Sequence, residues 1–491
     1  MATPIVIGLD LGTTACKAVA LAADGSVEAV ASGSYSMQTP QPGWAEQSPE
    51  ELWSVARAVL RDLAGQIPLE RVAGLALCGA MHSLLPVAED GTPLALASIW
   101  ADGRATEQAR ALRQHANARA LYRRTGCPLQ PMYHPARVRW WHEEARDTAQ
   151  QAAYWVGIKD WIGFQLAGTW ATDVGLASTT GLLDIHTLAW DAEALALAGV
   201  TPERLPRLVS PMDVIGGLRE EVAREIGLPA GLPIIAGSSD GGLANLGAGV
   251  VEPGQAVVTV GTSGAVRRVV ERPWLDPAER TWCYVLTEGR WFAGGAINNG
   301  GLALRWVRER LYGEFDKDAA YTRLYADAAA VPPGAEGVLL LPYFAGERSP
   351  HWNPEVRALI HGLGLEHTRA HLARAVLEGI AFCLADVWEA LVQGEPPSVY
   401  VTGGLTRSAV WVQILADVLG TSVAQLETRE ASATGAATMG LRALGHIPTL
   451  EALAHRAKPS SIFEPNPAHH RLYTERHREF QTLYHRLAGN T

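Results

Sequence analysis

The sequence predicts a two-domain α/β protein with mixed sheets and a working cleft between its halves. Three observations lead there. At 491 residues the chain is too long for one ordinary core and asks for two domains of similar size. Strand patterns alternate with helix patterns, yet several neighbouring strands are joined by tight turns, which makes the sheets mixed rather than all-parallel. A unit of apolar strand, Gly-Thr-hydroxyl turn and apolar strand occurs near the start and again near the middle. This duplication divides the chain into residues 1–250 and 251–491, with the site between them.

The first unit is Ile5-Val6-Ile7-Gly8-Leu9-Asp10-Leu11-Gly12-Thr13-Thr14-Ala15-Cys16-Lys17, an entering strand with Asp10 at its mouth and a returning strand through Leu21. A glycine followed by two small hydroxyl residues lets backbone N–H groups approach a phosphate, and the hydroxyls add donors. A neighbouring carboxylate suits a hydrated divalent metal. The plainer alternative is a domain-opening hairpin with Asp10 as a turn former. The second unit, Ala256 to Val266 around Gly261-Thr262-Ser263-Gly264, would let two turns clasp a triphosphate from both sides. The helix-capping phosphate loop is excluded, because none of the lysines (Lys17, Lys159, Lys317, Lys458) follows a glycine. The dinucleotide fingerprint is absent from the first strand, where Gly8 to Gly12 lacks the spacing and leads into a strand.

The remaining elements follow in order. Pro49 to Leu63 is an amphipathic helix with Ser48 as its cap, and Val72 to Cys78 is a buried strand delivering Gly79-Ala80-Met81-His82. Leu84 to Val87 and Leu94 to Leu96 form a hairpin around Asp90-Gly91. Helices are expected over Ala105 to His115 and Tyr154 to Leu166. Gly237 to Gly254 closes the first half, with the boundary at Pro253-Gly254. In the second half Gly294 to Gly301 reads as a loop entering a helix, and Leu339 to Tyr343 precedes Gly346-Glu347-Arg348-Ser349-Pro350. A long helix spans His371 to Val392, Val399 to Thr402 is a strand delivering Gly403-Gly404, and residues 465–491 form a terminal outer helix.

Bulk properties exclude several classes. The net charge of −10 opposes a dedicated binder of nucleic acid or anionic membranes. No apolar run spans a bilayer, and Met1-Ala2-Thr3-Pro4 leads straight into a strand, leaving no room for a signal peptide. The five cysteines are scattered without a CxxC pair, as expected of free thiols in a reducing cytoplasm.

The chain resembles the FGGY carbohydrate kinases of the actin-like, ribonuclease-H-like ATPase superfamily. The resemblance covers nearly the whole length and rests on Asp10 to Thr14, Ala80-Met81-His82, Trp100-Ala101-Asp102-Gly103-Arg104, Gly237 to Gly241, Gly261 to Gly264 and Gly403-Gly404, in the family's order. It implies an actin-like ATPase fold, ATP and Mg²⁺ as cofactors, a small sugar or sugar acid as partner, and a cytoplasmic enzyme; relatives are often dimers, which makes a homodimer an analogy only. It further implies that Asp240 is the catalytic base, with Asp10 and Asp240 at the metal. ATP would lie against Gly12, Thr13, Thr14, Lys17, Gly261, Thr262, Ser263, Gly403 and Gly404. Residue chemistry allows the same roles: a carboxylate among small residues can accept a hydroxyl proton in phosphoryl transfer, although Asp240 could instead cap the helix starting at Gly241. Leu405 replaces the family's third glycine. Gly435-Ala436-Ala437 is either part of the adenosine wall or an ordinary close-packed helix.

Met81, His82, Trp100, Asp102, Arg104 and Asp240 form the expected acceptor site, an aromatic plane beside fixed polar groups at strand ends. Ala80-Met81-His82-Ser83-Leu84-Leu85 departs from the xylulokinase pattern and is similar to the gluconokinase branch, as are Arg124 to Met132, Gly157 to Asp160, Ala177 to Leu182 and Gly295 to Gly301. Gluconate carries a carboxylate, for which Arg104 and Lys159 are the candidate partners. Pro135 to Trp141 departs from the family's basic spacing. The alternatives are a xylulokinase or another pentulose or polyol kinase, and, in a different class, a non-catalytic actin-like sugar-responsive protein.

Overall fold

Asp10 stands near the end of β1 (Ile5–Leu11), whose apolar side chains are buried on both faces. A computed structural model of the chain describes residues 3–287, 289–394, 396–428, 430–456 and 459–489. Met1-Ala2 and the last two residues of the expected terminal helix lie outside these. β1 pairs antiparallel with β2 (Ala15–Ala22), which pairs with β3 (Val27–Ser34). On its other side lie β4 (Val72–Gly79), then β6 (Pro233–Ser239), both parallel in this stack, with β5 (Val214–Gly217) antiparallel at the edge. Asp10 pairs with Cys78, and Gly79 pairs with Ser239. Three adjacent parallel strands therefore release Asp10, Ala80-Met81-His82 and Asp240 at one end of the sheet, where open α/β sheets take ligands.

The second sheet repeats this arrangement strand for strand. β7 (Gln255–Val260) and β8 (Gly264–Val270) form the second hairpin; β9 (Trp282–Thr287) and β10 (Arg290–Ile297) extend it. β11 (Ser398–Gly403) and β12 (Val423–Leu426) run parallel on the far side, and β13 (Pro459–Phe463) is the antiparallel edge. The order β3-β2-β1-β4-β6-β5 thus recurs as β10-β8-β7-β11-β12-β13, with β9 added outside. The duplicated α/β architecture is that of the actin-like ATPases.

Two helices lock the halves together. α1 (Asp240–Gly247) follows β6, and α2 (Ala431–Ala443) leaves the second half to pack on α1, β1 and β4. A Cβ on Gly435 would lie 2.0 Å from the Leu243 carbonyl oxygen, so only glycine permits this approach. Gly435-Ala436-Ala437 is buried in that contact, as the close-packed helix of the two readings requires.

Two local expectations are corrected, and a third holds in irregular form. Tyr154 to Leu166 is not one helix: Tyr154–Val156 is a strand paired with Leu85–Val87, and the helix Ile158–Ala167 starts only after Gly157, whose N–H the Asp160 carboxylate accepts at 3.2 Å. The β-formers Tyr, Trp and Val precede a helix start that periodicity alone had merged with them. The hairpin over Leu84 to Leu96 forms with irregular pairing: antiparallel bridges join Val87 with Pro93 and Leu84 with Ser98, the Leu94 N–H donates to the Pro86 carbonyl at 3.0 Å, and Tyr154–Val156 adds a third strand to Leu85–Val87. Gly294 to Ile297 belongs to β10, the Trp282 ring filling the space above Gly294.

The terminal helix Pro467–Ala488 is pinned to the long helix Arg369–Leu391 by a charge cluster of buried Asp386 and His477 with Glu389 at its exposed edge. His477 Nε2 lies 2.8 Å from Asp386 Oδ1 and its Nδ1 3.4 Å from Glu389 Oε1. Burial disfavours the imidazolium, but hydrogen bonds to Asp386 and Glu389 outweigh it and raise the His477 pKa to about 9. A pKa raised above the unfolded value of about 6.5 gives stability that is complete below pH ~6.5 and lost as pH climbs through about 9. The loss is on the order of 3 kcal/mol at most. The denaturation midpoint should accordingly fall from pH 6.5 to 9.5 in the wild type, and His477→Gln should flatten that slope; an unchanged slope would contradict the pairing. Among the described residues no helix is long and apolar enough to cross a membrane.

Candidate active site

Two carboxylates converge where the parallel strands end. Asp10 Oδ1 is buried and meets no hydrogen-bond partner among the described residues, although the nearby Cys78 thiol favours the carboxylate. Burial first, and the Asp240 carboxylate second, push the Asp10 pKa up to about 7. Asp240 is the first residue of α1, one past Ser239 at the N-cap, and its Oδ1 accepts the Gly241 N–H at 2.7 Å. Burial also raises the Asp240 pKa, and the Arg267 guanidinium opposes that rise. An orphaned oxygen and a second carboxylate close enough to repel it form a donor set that a hard divalent cation would satisfy. The residues fit Mg²⁺ on those grounds.

The two hairpins border one space. Trp100 Nε1 donates to Thr13 Oγ1 at 3.2 Å, and Trp100, Thr262 and Ser263 all line a cavity of about 430 Å³ between the halves. Thr262 also borders a second cavity of about 850 Å³, walled by Gly261, Gly404, Arg407, Tyr321 and Tyr325. Gly12 closes its turn through a 3.2 Å bond from its N–H to the Ala15 carbonyl, and Thr14 is exposed at the tip. Gly403 sits at φ +85° directly beside Val260, which brings the second glycine pair to the second hairpin. Lys17 pairs with Glu430 at 2.6 Å, tying the first hairpin to the segment before α2.

The acceptor end is built on His82, which holds φ +65° in a left-handed conformation rare for a non-glycine residue. Its Nδ1 lies 2.8 Å from the Thr179 carbonyl, which can only accept, so Nδ1 carries the proton and Nε2 keeps a lone pair. Burial, and then the charge of Arg137, lower the His82 pKa to about 3, which keeps the ring neutral. Met81 lies beside Gly241, and Trp100 and Asp102 line the 430 Å³ cavity.

Arg104 is a correction. Its side chain is 2% exposed, pairs with Asp102 at 2.7 Å and with Glu46, and stacks 3.7 Å from the Trp44 ring. Its charge is committed, so it supports Asp102 from behind the wall. Lys159 is another: its buried ammonium is 2.9 Å from Asp173 and donates to the Ala236 carbonyl at 2.9 Å, beneath Gly79. It braces the strand ends and has no charge left for a ligand.

Sequence reasoning missed three arginines. Arg137, buried in the segment with altered basic spacing, donates to the carbonyls of His82 and Ile99 and to Ser98 Oγ at 3.3 Å, clamping both acceptor loops. Arg267 reaches from β8 to face Asp240. Arg348 lies over the Trp100 ring, 4.6 Å from its centroid. The segments containing Arg137 and Arg348 each carried a signal, the altered basic spacing of Pro135 to Trp141 and the Gly-Glu-Arg-Ser-Pro run, neither with an assigned role.

Comparison with known proteins places these features. The N-terminal domain of the FGGY family of carbohydrate kinases matches residues 5–247, and the C-terminal domain of that family matches residues 256–444. A gluconokinase from Bacillus subtilis is 37% identical over 463 residues, covering 92% of this chain and 90% of that protein. A xylulose kinase from Klebsiella pneumoniae is 31% identical, covering 94% of this chain and 92% of that protein. The crystal structure of a gluconate kinase from Lactobacillus acidophilus superposes with a TM-score of 0.94 at 30% identity, covering 99% of each chain.

Proposed function

Because this chain belongs to the FGGY family of carbohydrate kinases, a family whose activity implies ATP, we propose that it phosphorylates D-gluconate to 6-phospho-D-gluconate. The observation that carries gluconate over a neutral sugar is the higher identity to the Bacillus gluconokinase than to the xylulose kinases.

In this reading Asp240 orients the acceptor hydroxyl and takes its proton as the new P–O bond forms and the bond to ADP breaks. The turns at Gly12-Thr13-Thr14 and Gly261-Thr262-Ser263 donate to the phosphates from opposite sides, and Gly403-Gly404 border the adenosine. Asp10 and Asp240 would hold Mg²⁺, whose contribution is to neutralise phosphate charge. The neutral His82 accepts a hydrogen bond from a sugar hydroxyl through Nε2, while Trp100 stacks on C–H faces beside Asp102. The halves 1–250 and 251–491 close on the ternary complex and exclude water that would otherwise hydrolyse ATP. The reading includes a cytoplasmic location, which suits five cysteines that are all unpaired.

A coupled ADP-release assay across gluconate, xylulose, ribulose, glycerol and fuculose tests the substrate. Gluconate should give the highest kcat/KM. A preference for xylulose would move the chain to the other branch, and no sugar-dependent ADP would remove the kinase activity.

A further inference from the structure

A sugar acid differs from a neutral sugar by one carboxylate, so its site needs a cation whose charge is not already used. Among the described residues lining the 430 Å³ cavity, the basic ones are Arg113 and Arg348. Arg113 is exposed at the rim, and its Nη1 is engaged by the Leu129 carbonyl at 2.8 Å and Gln130 Oε1 at 3.2 Å. Arg104 and Lys159 are spent on carboxylates of the chain itself.

Arg348 differs from all of these. Its side-chain hydrogen bond runs from Nη2 to the Ile297 carbonyl at 3.2 Å, and its Nε is buried with no partner. Among the described residues no side-chain ion pair joins it to the neighbouring Glu347, whose Oε1 accepts the backbone N–H groups of Asn298 and Arg348, each at 2.8 Å, although the two side chains attract through space. The guanidinium carbon lies over the Trp100 ring, 4.6 Å from its centroid, and the charge is close enough to His82 to disfavour the imidazolium. A cation held against an aromatic plane, with donors unspent and a planar fork, matches a carboxylate bidentately.

We propose that Arg348 receives the carboxylate of the sugar-acid substrate, reaching from the second half of the chain across Trp100 of the first. The assignment rests on the gluconate reading above. It gives that reading a residue which separates acids from neutral sugars and makes acid binding draw the two halves together.

The test compares Arg348→Gln and Arg348→Lys with the wild type, using gluconate KM, ATP KM and the calorimetric Kd of D-glucitol, the uncharged analogue. Loss of a charge-assisted pair should raise the gluconate KM of Arg348→Gln about 30- to 100-fold, with ATP KM and glucitol Kd within about threefold. Arg348→Lys should fall between, about tenfold, keeping the charge without the fork, and it carries the same comparison if the glutamine variant is insoluble. An unchanged gluconate KM, or a parallel loss of glucitol and ATP affinity, overturns the assignment. A wild type that turns over neutral sugars but no gluconate overturns the substrate reading beneath it.

Discussion

Asp240→Asn should lose about 10³-fold in kcat while folding normally and binding nucleotide with wild-type affinity. The amide keeps the size of the carboxylate and can still accept the Gly241 N–H that Asp240 Oδ1 accepts at 2.7 Å, so the start of α1 survives. It cannot take the acceptor proton, and it withdraws the negative charge facing Arg267. The signature is therefore a fall in kcat with little change in ATP affinity, read by steady-state kinetics beside a nucleotide titration. Near-normal turnover would remove Asp240 from the chemistry. Loss of nucleotide binding together with turnover would mean that the residue serves architecture.

Gly237→Ala should produce the largest loss of stability of any single methyl group considered in this fold. Gly237 sits at φ +63° where β6 slips register against β4 between Ile235 and Ser238. A Cβ there would lie 1.5 Å from the Leu77 carbonyl oxygen, within backbone that cannot swing away. The bulge re-aims Ser238, Ser239 and Asp240 at the strand end, so the same glycine sets stability and site geometry. Left-handed strain alone costs about 1–2 kcal/mol, and the overlap should bring the total to at least about 4 kcal/mol. Gly231→Ala is the control: φ is +74° with nothing within 4 Å of the added methyl, so only the strain term applies. Thermal unfolding should separate the two variants widely. Equal midpoints would show that the sheet relaxes around the bulge.

The parts legible in the sequence were those built from neighbours along the chain. Thr13 and Thr262 each sit in a turn that glycine, hydroxyls and flanking apolar runs announce locally, and the long helix from Arg369 shows its period over 23 residues. The boundary between Val156 and Ile158 was not legible, because three β-forming aromatics and aliphatics share the apolar spacing of the helix that follows. Partners remote in sequence were hidden as well. Arg104 and Lys159 looked like free cations until Glu46 and Asp173 were seen to hold them. Arg137 and Arg348 stood in segments without an assigned role until folding set one against His82 and the other over Trp100. A basic residue's role depends on which carboxylates the fold brings to it, and spacing does not encode that.

A crystal structure of the ternary complex with a non-hydrolysable ATP analogue and gluconate tests the central claim most directly. The account predicts terminal phosphates touched by both the Gly12–Thr14 and Gly261–Ser263 turns, with an acceptor oxygen about 3 Å from an Asp240 oxygen. Phosphates held by one turn alone, or a sugar bound away from Asp240, would contradict it.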